Sequence, residues 1–330
     1  MKKSSGISLS EIADSLTKTA QRDNVRKRRT RVKRANTYSR PKVGNKESNR
    51  IAKRGVAVVD RNMLHEKILA EQIGAVIVPP KYNSMVNYEN IILLAPHRMS
   101  ELGRINKILK RYPKTRVLLW WVGTDVLALG KLSYKPTLNA LRRMRAKNLA
   151  VSVGLQRELR SLGVVSDVLP LVPNVKHGLD IPLPEKYTVA VYMPAHKTSF
   201  YGAKQVKEIA KMTPDVDYIL YGNKTPLTVG ADNVECVGWV NGTENIINRA
   251  NCILRYTDHD GHPKSLMEFG MCGRFLISNH EYKNVWSSSD IKEIADKINE
   301  HPVLTKEQTK WFREEYSVDG FKNKLSRYFI

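Results

Sequence analysis

Only three cysteines, Cys236, Cys252 and Cys272, occur in 330 residues. Their number is odd and their spacing is not that of a zinc site. No disulfide framework or structural metal is therefore expected, and they read as reduced, buried side chains of a cytosolic protein. Long apolar runs are missing as well. No stretch approaches the roughly 18 residues that span a bilayer, and the amino terminus lacks the apolar centre of a signal peptide. Acidic residues are scarce: 32 Asp and Glu stand against 55 Lys and Arg, for a formal charge of +23. Solubility does not require that excess, which points to a polyanionic partner, nucleic acid or an acidic membrane. No short repeat is visible, which argues against a solenoid or propeller.

The positive charge is unevenly placed. Residues 1–54 hold 17 of the basic residues and 4 of the acidic ones, more than half of the net charge in about a sixth of the chain. Ile7, Leu9, Ile12, Ala13, Leu16 and Ala20 recur near helical spacing, which predicts a short amphipathic helix over residues 8–21. A basic block follows, with Arg26, Lys27, Arg28, Arg29, Arg31, Lys33 and Arg34 as candidate nucleic-acid contacts. Like charges at this density repel and bury little, so a disordered tail is expected.

From Gly55 onward, short β-branched or apolar runs alternate with helical patterns, as in a parallel sheet wrapped by helices. Strands are predicted at 56–59, 75–78, 90–95, 116–122 and 149–153, with helices at 63–72, 100–111 and 156–162. Pro170, Pro173, Pro182 and Pro184 then mark a hinge. The pattern restarts with strands at 188–193, 217–221, 234–237, 252–256 and 275–278. Helices are predicted at 203–212, 243–249, 264–271 and 289–300, and the chain is read as helical through 306–329. The resulting organisation is a tail over 1–54, α/β domains over 55–180 and 181–305, and a closing helical segment over 306–330. A ligand crevice is expected between the carboxyl ends of the two sheets.

The chemistry concentrates between Asn233 and Asn279. A strand ends near Tyr256, a loop carries Asp260-Gly261, and a helix opens at Pro263-Lys264. Proline in a first helical turn and free N–H groups behind a glycine make a phosphate seat, and Lys264 adds a cation. Glu268, one turn on, is placed to accept hydrogen bonds from paired hydroxyls such as those of a ribose.

Asp260-x7-Glu268 followed by Phe269-Gly270-Met271-Cys272-Gly273-Arg274-Phe275-Leu276-Ile277-Ser278 resembles the E-x7-E region of retaining GT-B glycosyltransferases, the large family 4 in particular. The likeness extends to Tyr221-Gly222, Val237-Gly238-Trp239-Val240 and Glu315-Tyr316-Ser317-Val318. It implies an α/β fold of GT-B type, two facing Rossmann-like domains, with a final helix crossing back onto the first. It also implies sugar transfer with retention from a nucleotide-diphosphate sugar, a UDP-sugar such as UDP-glucose first among them, without a cofactor or metal for the chemistry. Glu268 would bind the ribose, and Asp260 would stand near the reacting carbon. Gly261, His262, Lys264 and Ser265 would hold the diphosphate, and Gly222, Trp239 and Val240 would lie near the base. His196 and Lys197 fall where the family carries an arginine that neutralises the diphosphate. Tyr201 replaces the usual lysine, a role Lys204 could share.

Other positions depart from the family. Asp260 is one methylene shorter than the usual Glu. The stretch Asp60-Arg61-Asn62-Met63 carries no glycine-rich loop. A histidine that often faces the sugar is replaced near Gly123-Thr124-Asp125, which leaves Asp125 and His97 as candidates on the acceptor side. Asp258-His259-Asp260-Gly261-His262 looks superficially like a metal cluster, but the surrounding order argues against one.

Two acceptors fit the charge. One is DNA, as for bacteriophage enzymes that glycosylate modified bases in the host cytoplasm. The other is a lipid-linked or cell-surface glycan met at an anionic membrane. A non-enzymatic nucleic-acid-binding protein on a transferase scaffold is a third reading, against which the retained Asp260 and Glu268 count. A monomer is expected.

Overall fold

The computed structural model describes residues 54–131, 134–173, 175, 180–223 and 230–329. The amphipathic segment and the basic block from Arg26 to Arg34 lie outside the described residues.

Six strands form the first sheet: β1 (Arg54–Val59), β2 (Val76–Val78), β3 (Tyr88–Leu94), β4 (Arg116–Trp121), β5 (Lys147–Ala150) and β6 (Asp167–Val168). The second holds β7 (Thr188–Tyr192), β8 (Asp217–Tyr221), β9 (Val234–Gly238), β10 (Cys252–Arg255), β11 (Phe275–Ser278) and β12 (Trp286–Ser287). Every pairing is parallel. Runs such as Ile91–Leu94 and Leu118–Trp121 are buried on both faces, which suits strands covered by helices on each side. The spatial orders are β2-β1-β3-β4-β5-β6 and β12-β11-β10-β7-β8-β9. The order reverses between β1 and β3 in the first sheet and between β7 and β10 in the second. At those points crossovers leave in opposite directions and a crevice opens at the carboxyl ends. This is a two-lobed α/β architecture of GT-B type.

The structure departs from the sequence expectations at particular places. Val153 opens a helix, Val153–Ser161, instead of ending a strand, because Ser152 caps it by accepting from Leu155 N at 3.3 Å. Helices Thr124–Leu129 and Lys135–Arg143 were not anticipated. The edge strands β6 and β12 have two residues each, too few to show alternation. The closing segment is two helices, Lys306–Glu315 and Val318–Ser326, broken where Ser317 caps the second by accepting from Gly320 N.

The segment between the sheets is tied down by buried arginine. Arg274, 1% exposed, donates to the carbonyls of Ile181 and Pro182, and also to those of Ile247 and Cys272. A buried guanidinium needs such acceptors. The closing helices reach the first sheet, where Phe321 stacks on Trp120 at 5.9 Å and Arg116 donates to Phe329 O at 2.7 Å. Trp120 and Trp121 are core, each with its indole N–H bonded, to Leu169 O and Asn148 Oδ1.

Candidate active site

The second sheet's crevice lies where β7 and β10 part. The loop after β10 is fixed on both sides. Asn279 accepts from Thr257 N at 2.9 Å and donates to Thr257 O at 2.8 Å, and Asp258 N donates to Phe200 O at 2.9 Å. That anchoring sets Asp260, Gly261 and His262 in front of the helix Lys264–Met271.

Asp260 does not stand alone. Its Oδ2 accepts from Arg255 Nε at 2.7 Å and its Oδ1 from Gly261 N at 2.9 Å. Both partners of the ion pair are about nine-tenths buried. The Arg255 guanidinium lies 4.9 Å from the Tyr201 ring centroid and 5.9 Å from that of Tyr192. Burial pulls the Arg255 pKa down, but Asp260 outweighs it and the net shift is upward. Sequence reasoning missed Arg255. The signal was a lone charge closing the apolar strand Cys252-Ile253-Leu254.

Glu268 is half-buried and accepts from Thr243 Oγ1 at 2.9 Å. Burial pushes the Lys264 ammonium down to about 8, with Glu268 pulling the other way. His262 packs between Tyr316 and Tyr282, at 5.3 and 6.5 Å. Its Nε2 is buried without a hydrogen-bond partner among the described residues. Burial holds it down at about 4, with Asp260 opposing and Lys264 assisting. His65, from the helix after β1, is held at about 4 by burial and by Lys264, which places the first lobe's imidazole in the field of the second lobe's lysine. No expectation from sequence included His65, although it follows the segment where a glycine loop was sought. There Asn62 takes the left-handed conformation at φ 65° that glycine would supply, and Arg61 pairs with Glu101.

The lobes meet at this loop. Gly261 packs against Val122 and Gly123 at the end of β4, so close that a Cβ on Gly261 would lie 2.3 Å from Val122 O. His259 Nε2 lies 3.0 Å from Glu158 of the first lobe. Asp125 is buried, and its carboxylate accepts from Gly123 N at 2.7 Å and Val122 N at 3.2 Å. Burial raises its pKa against those hydrogen bonds and against nearby His97. Both oxygens of Asp125 are thus engaged by the backbone of the turn after β4. His97 Nδ1 lies 2.9 Å from Ala95 O.

Other expected residues are more dispersed. His196 and Lys197 are exposed, with Lys197 over the Phe200 ring at 5.7 Å. Trp239 is exposed and Val240 half-buried. The space above Gly222 is filled by the Tyr192 ring, which a Cβ at Gly222 would meet at 2.3 Å. Ser265 and Glu268 lie beside the buried Tyr221 hydroxyl. Within Asp258–His262, His259 turns to Glu158 and Asp260 to Arg255, and no cluster of three or more metal-type side chains occurs among the described residues.

A pH dependence follows from the two imidazoles. Folded His65 and His262 stay neutral down to about 4, whereas in an unfolded chain they take up protons near 6.5. Between those values the unfolded state binds more protons, so stability falls as pH falls. The melting temperature of the unliganded protein should be lower at pH 5 than at pH 7. A higher one would show that the imidazoles do not outweigh Asp125, whose raised pKa acts in the opposite sense.

No protein-family model matches this sequence, and no curated protein matches it. Solved structures do resemble it in fold. HepE of Anabaena, in complex with UDP and glucose, is similar with a TM-score of 0.64 at 12% identity, over 83% of this chain and 99% of that one. Sucrose-phosphate synthase from Thermosynechococcus elongatus gives 0.61 at 10% identity, over 84% and 98%. The pneumococcal O-GlcNAc transferase GtfA, in complex with UDP and GlcNAc, gives 0.51 at 12% identity, over 72% and 56%.

Proposed function

We propose that the protein is a glycosyltransferase that moves a sugar, with retention, from a nucleotide-diphosphate sugar to an acceptor hydroxyl, with residues 55–180 on the acceptor side and 181–305 on the donor side. The observation that carries this reading is the placement of Asp260, Lys264 and Glu268 at the β7/β10 switch point. There the anchored loop and the start of the helix Lys264–Met271 form one wall of the crevice. The fold neighbours solved with UDP support it. Glu268 would take the ribose hydroxyls, and helix N–H groups with Lys264 the diphosphate. Asp260 would stand at the donor sugar. A UDP-sugar is the first donor to test.

For the acceptor we favour a modified base in DNA, and the charge distribution supports a polyanion. Between Leu102 and Arg157 the only acidic residue is Asp125, which is buried. Lys110, Arg111, Lys114, Arg116, Arg142, Arg143, Arg145 and Lys147 are exposed around the starts of β4 and β5, the end of that sheet away from the crevice. Such a face would hold a polymer through its phosphates. A lipid-linked acceptor remains the second reading, because anionic lipid would meet the same cations. No helix among the described residues is long and apolar enough to cross a membrane.

The test is a panel of nucleotide sugars, offered with duplex DNA, single-stranded DNA and anionic vesicles, in the presence and absence of EDTA. One donor should be turned over, with turnover surviving EDTA, and DNA binding should fall steeply with salt. Loss of activity to EDTA, restored by a divalent ion, would bring metal into the chemistry. Salt-insensitive DNA binding with retention on vesicles would replace DNA by lipid. Failure to bind any nucleotide sugar would remove the transferase reading.

A further inference from the structure

We infer that Arg255 is the cation that meets the donor's diphosphate, delivered from the end of β10; this rests on the donor-site reading above. Strand β10 is Cys252-Ile253-Leu254-Arg255, buried throughout, so a guanidinium at its end carries a desolvation cost that needs a reason. One neighbour accounts for part of it. Arg255 Nε donates to Asp260 Oδ2 at 2.7 Å, the sole hydrogen bond of its side chain among the described residues. Tyr201 and Tyr192 hold the planar group through their rings, at 4.9 and 5.9 Å, and rings make no hydrogen bond to the terminal nitrogens. Arg255 is therefore oriented by Nε and by its faces, while the edge carrying both terminal nitrogens is unspent. A guanidinium edge matches a pair of phosphate oxygens.

Position favours the same assignment. Arg255 ends the strand that flanks the switch point, next to β7, where the crevice opens. In the loop after β7, His196 and Lys197 are exposed, and Tyr201 carries a phenol ring where the resemblance expects a lysine. That ring faces a guanidinium that arrives from the neighbouring strand. In the transfer, the bond between the sugar's anomeric carbon and the β-phosphate oxygen breaks, with its electron pair going to that oxygen. A bond from the acceptor oxygen to the same carbon forms, and the acceptor's proton leaves with the diphosphate. Arg255 would stabilise the charge gathering on the departing oxygen without exchanging a proton.

Calorimetry with UDP, alongside ligand-observed NMR with uridine, tests this on the full chain. Arg255→Gln should weaken UDP by at least about tenfold, the scale of a lost charged hydrogen bond, and leave uridine unchanged. Arg255→Lys should fall between Arg255→Gln and the wild type. If the glutamine variant does not fold, the lysine variant decides: weaker UDP with unchanged uridine upholds the assignment, and wild-type affinity for both overturns it. Undiminished UDP affinity with lost turnover in Arg255→Gln would also overturn it and leave Arg255 as a support for Asp260. If the wild type binds none of UDP, ADP, GDP or TDP, the donor-site reading itself fails, and the assignment with it.

Discussion

Replacing Gly261 with alanine should cut sugar transfer by about a hundredfold while leaving the melting temperature within a few degrees of wild type, the kinetic loss being that of a misplacement of about 1 Å. The added Cβ would stand 2.3 Å from Val122 O, 2.9 Å from Val122 C and 3.1 Å from Gly123 Cα. These are backbone atoms at the end of β4, the fourth strand of six in its sheet, and they cannot swing aside as a side-chain tip can. Asp125 holds them further, by binding the N–H groups of Val122 and Gly123. The loop after β10 must therefore retreat, and it carries Asp260. Gly261 adds no side chain to the apolar packing of either sheet, so the retreat of one loop should cost little in unfolding. Gly55→Ala, with nothing within 4 Å of the new Cβ, is the matched control. Steady-state kinetics and thermal melting on both variants decide the matter. Wild-type turnover in Gly261→Ala would mean that the lobes need not meet at Val122 for transfer.

The fold was legible because its signals are local. Continuous apolar runs such as 91–94 and 218–221 announce buried parallel strands, and the helix Lys264–Met271 carries its own start and stop in Pro263 and Gly273. What escaped depends on contacts distant in sequence. The roles of Asp125 and Asp260 look alike on paper, each an acidic residue within two positions of a glycine. Asp125 bends onto the preceding backbone, whereas Asp260 meets an arginine five residues back, and only the fold separates them. His65 was invisible for the same reason, because its significance comes from Lys264, 199 positions away. Arg255 was open to detection. A charge in an otherwise apolar strand is costly, and asking what repays that cost leads to the crevice.

Asp260→Ala should be the most destabilising of the single changes considered, because it leaves Arg255 buried without its carboxylate. Breaking a buried pair from one side costs about 3–5 kcal/mol. For lobes of this size that is roughly 6–20 °C in melting temperature, at about 2–4 °C per kcal/mol. Transfer would be lost too, so activity alone would not separate a chemical role from a structural one. A double-mutant cycle does. In Asp260→Asn with Arg255→Gln, neutral partners of similar shape replace the ions, and much of the lost stability should return. Activity should not return, since neither the carboxylate proposed for the sugar nor the cation proposed for the diphosphate is restored. Thermal melts across the cycle measure the coupling, and turnover is read on the same samples. If Asp260→Ala melts like wild type, the pair is not load-sharing in the folded state and Arg255 must be partnered by something else. If the double variant recovers turnover along with stability, Asp260 serves only to keep Arg255 company, and the acid that faces the sugar has to be sought elsewhere in the crevice.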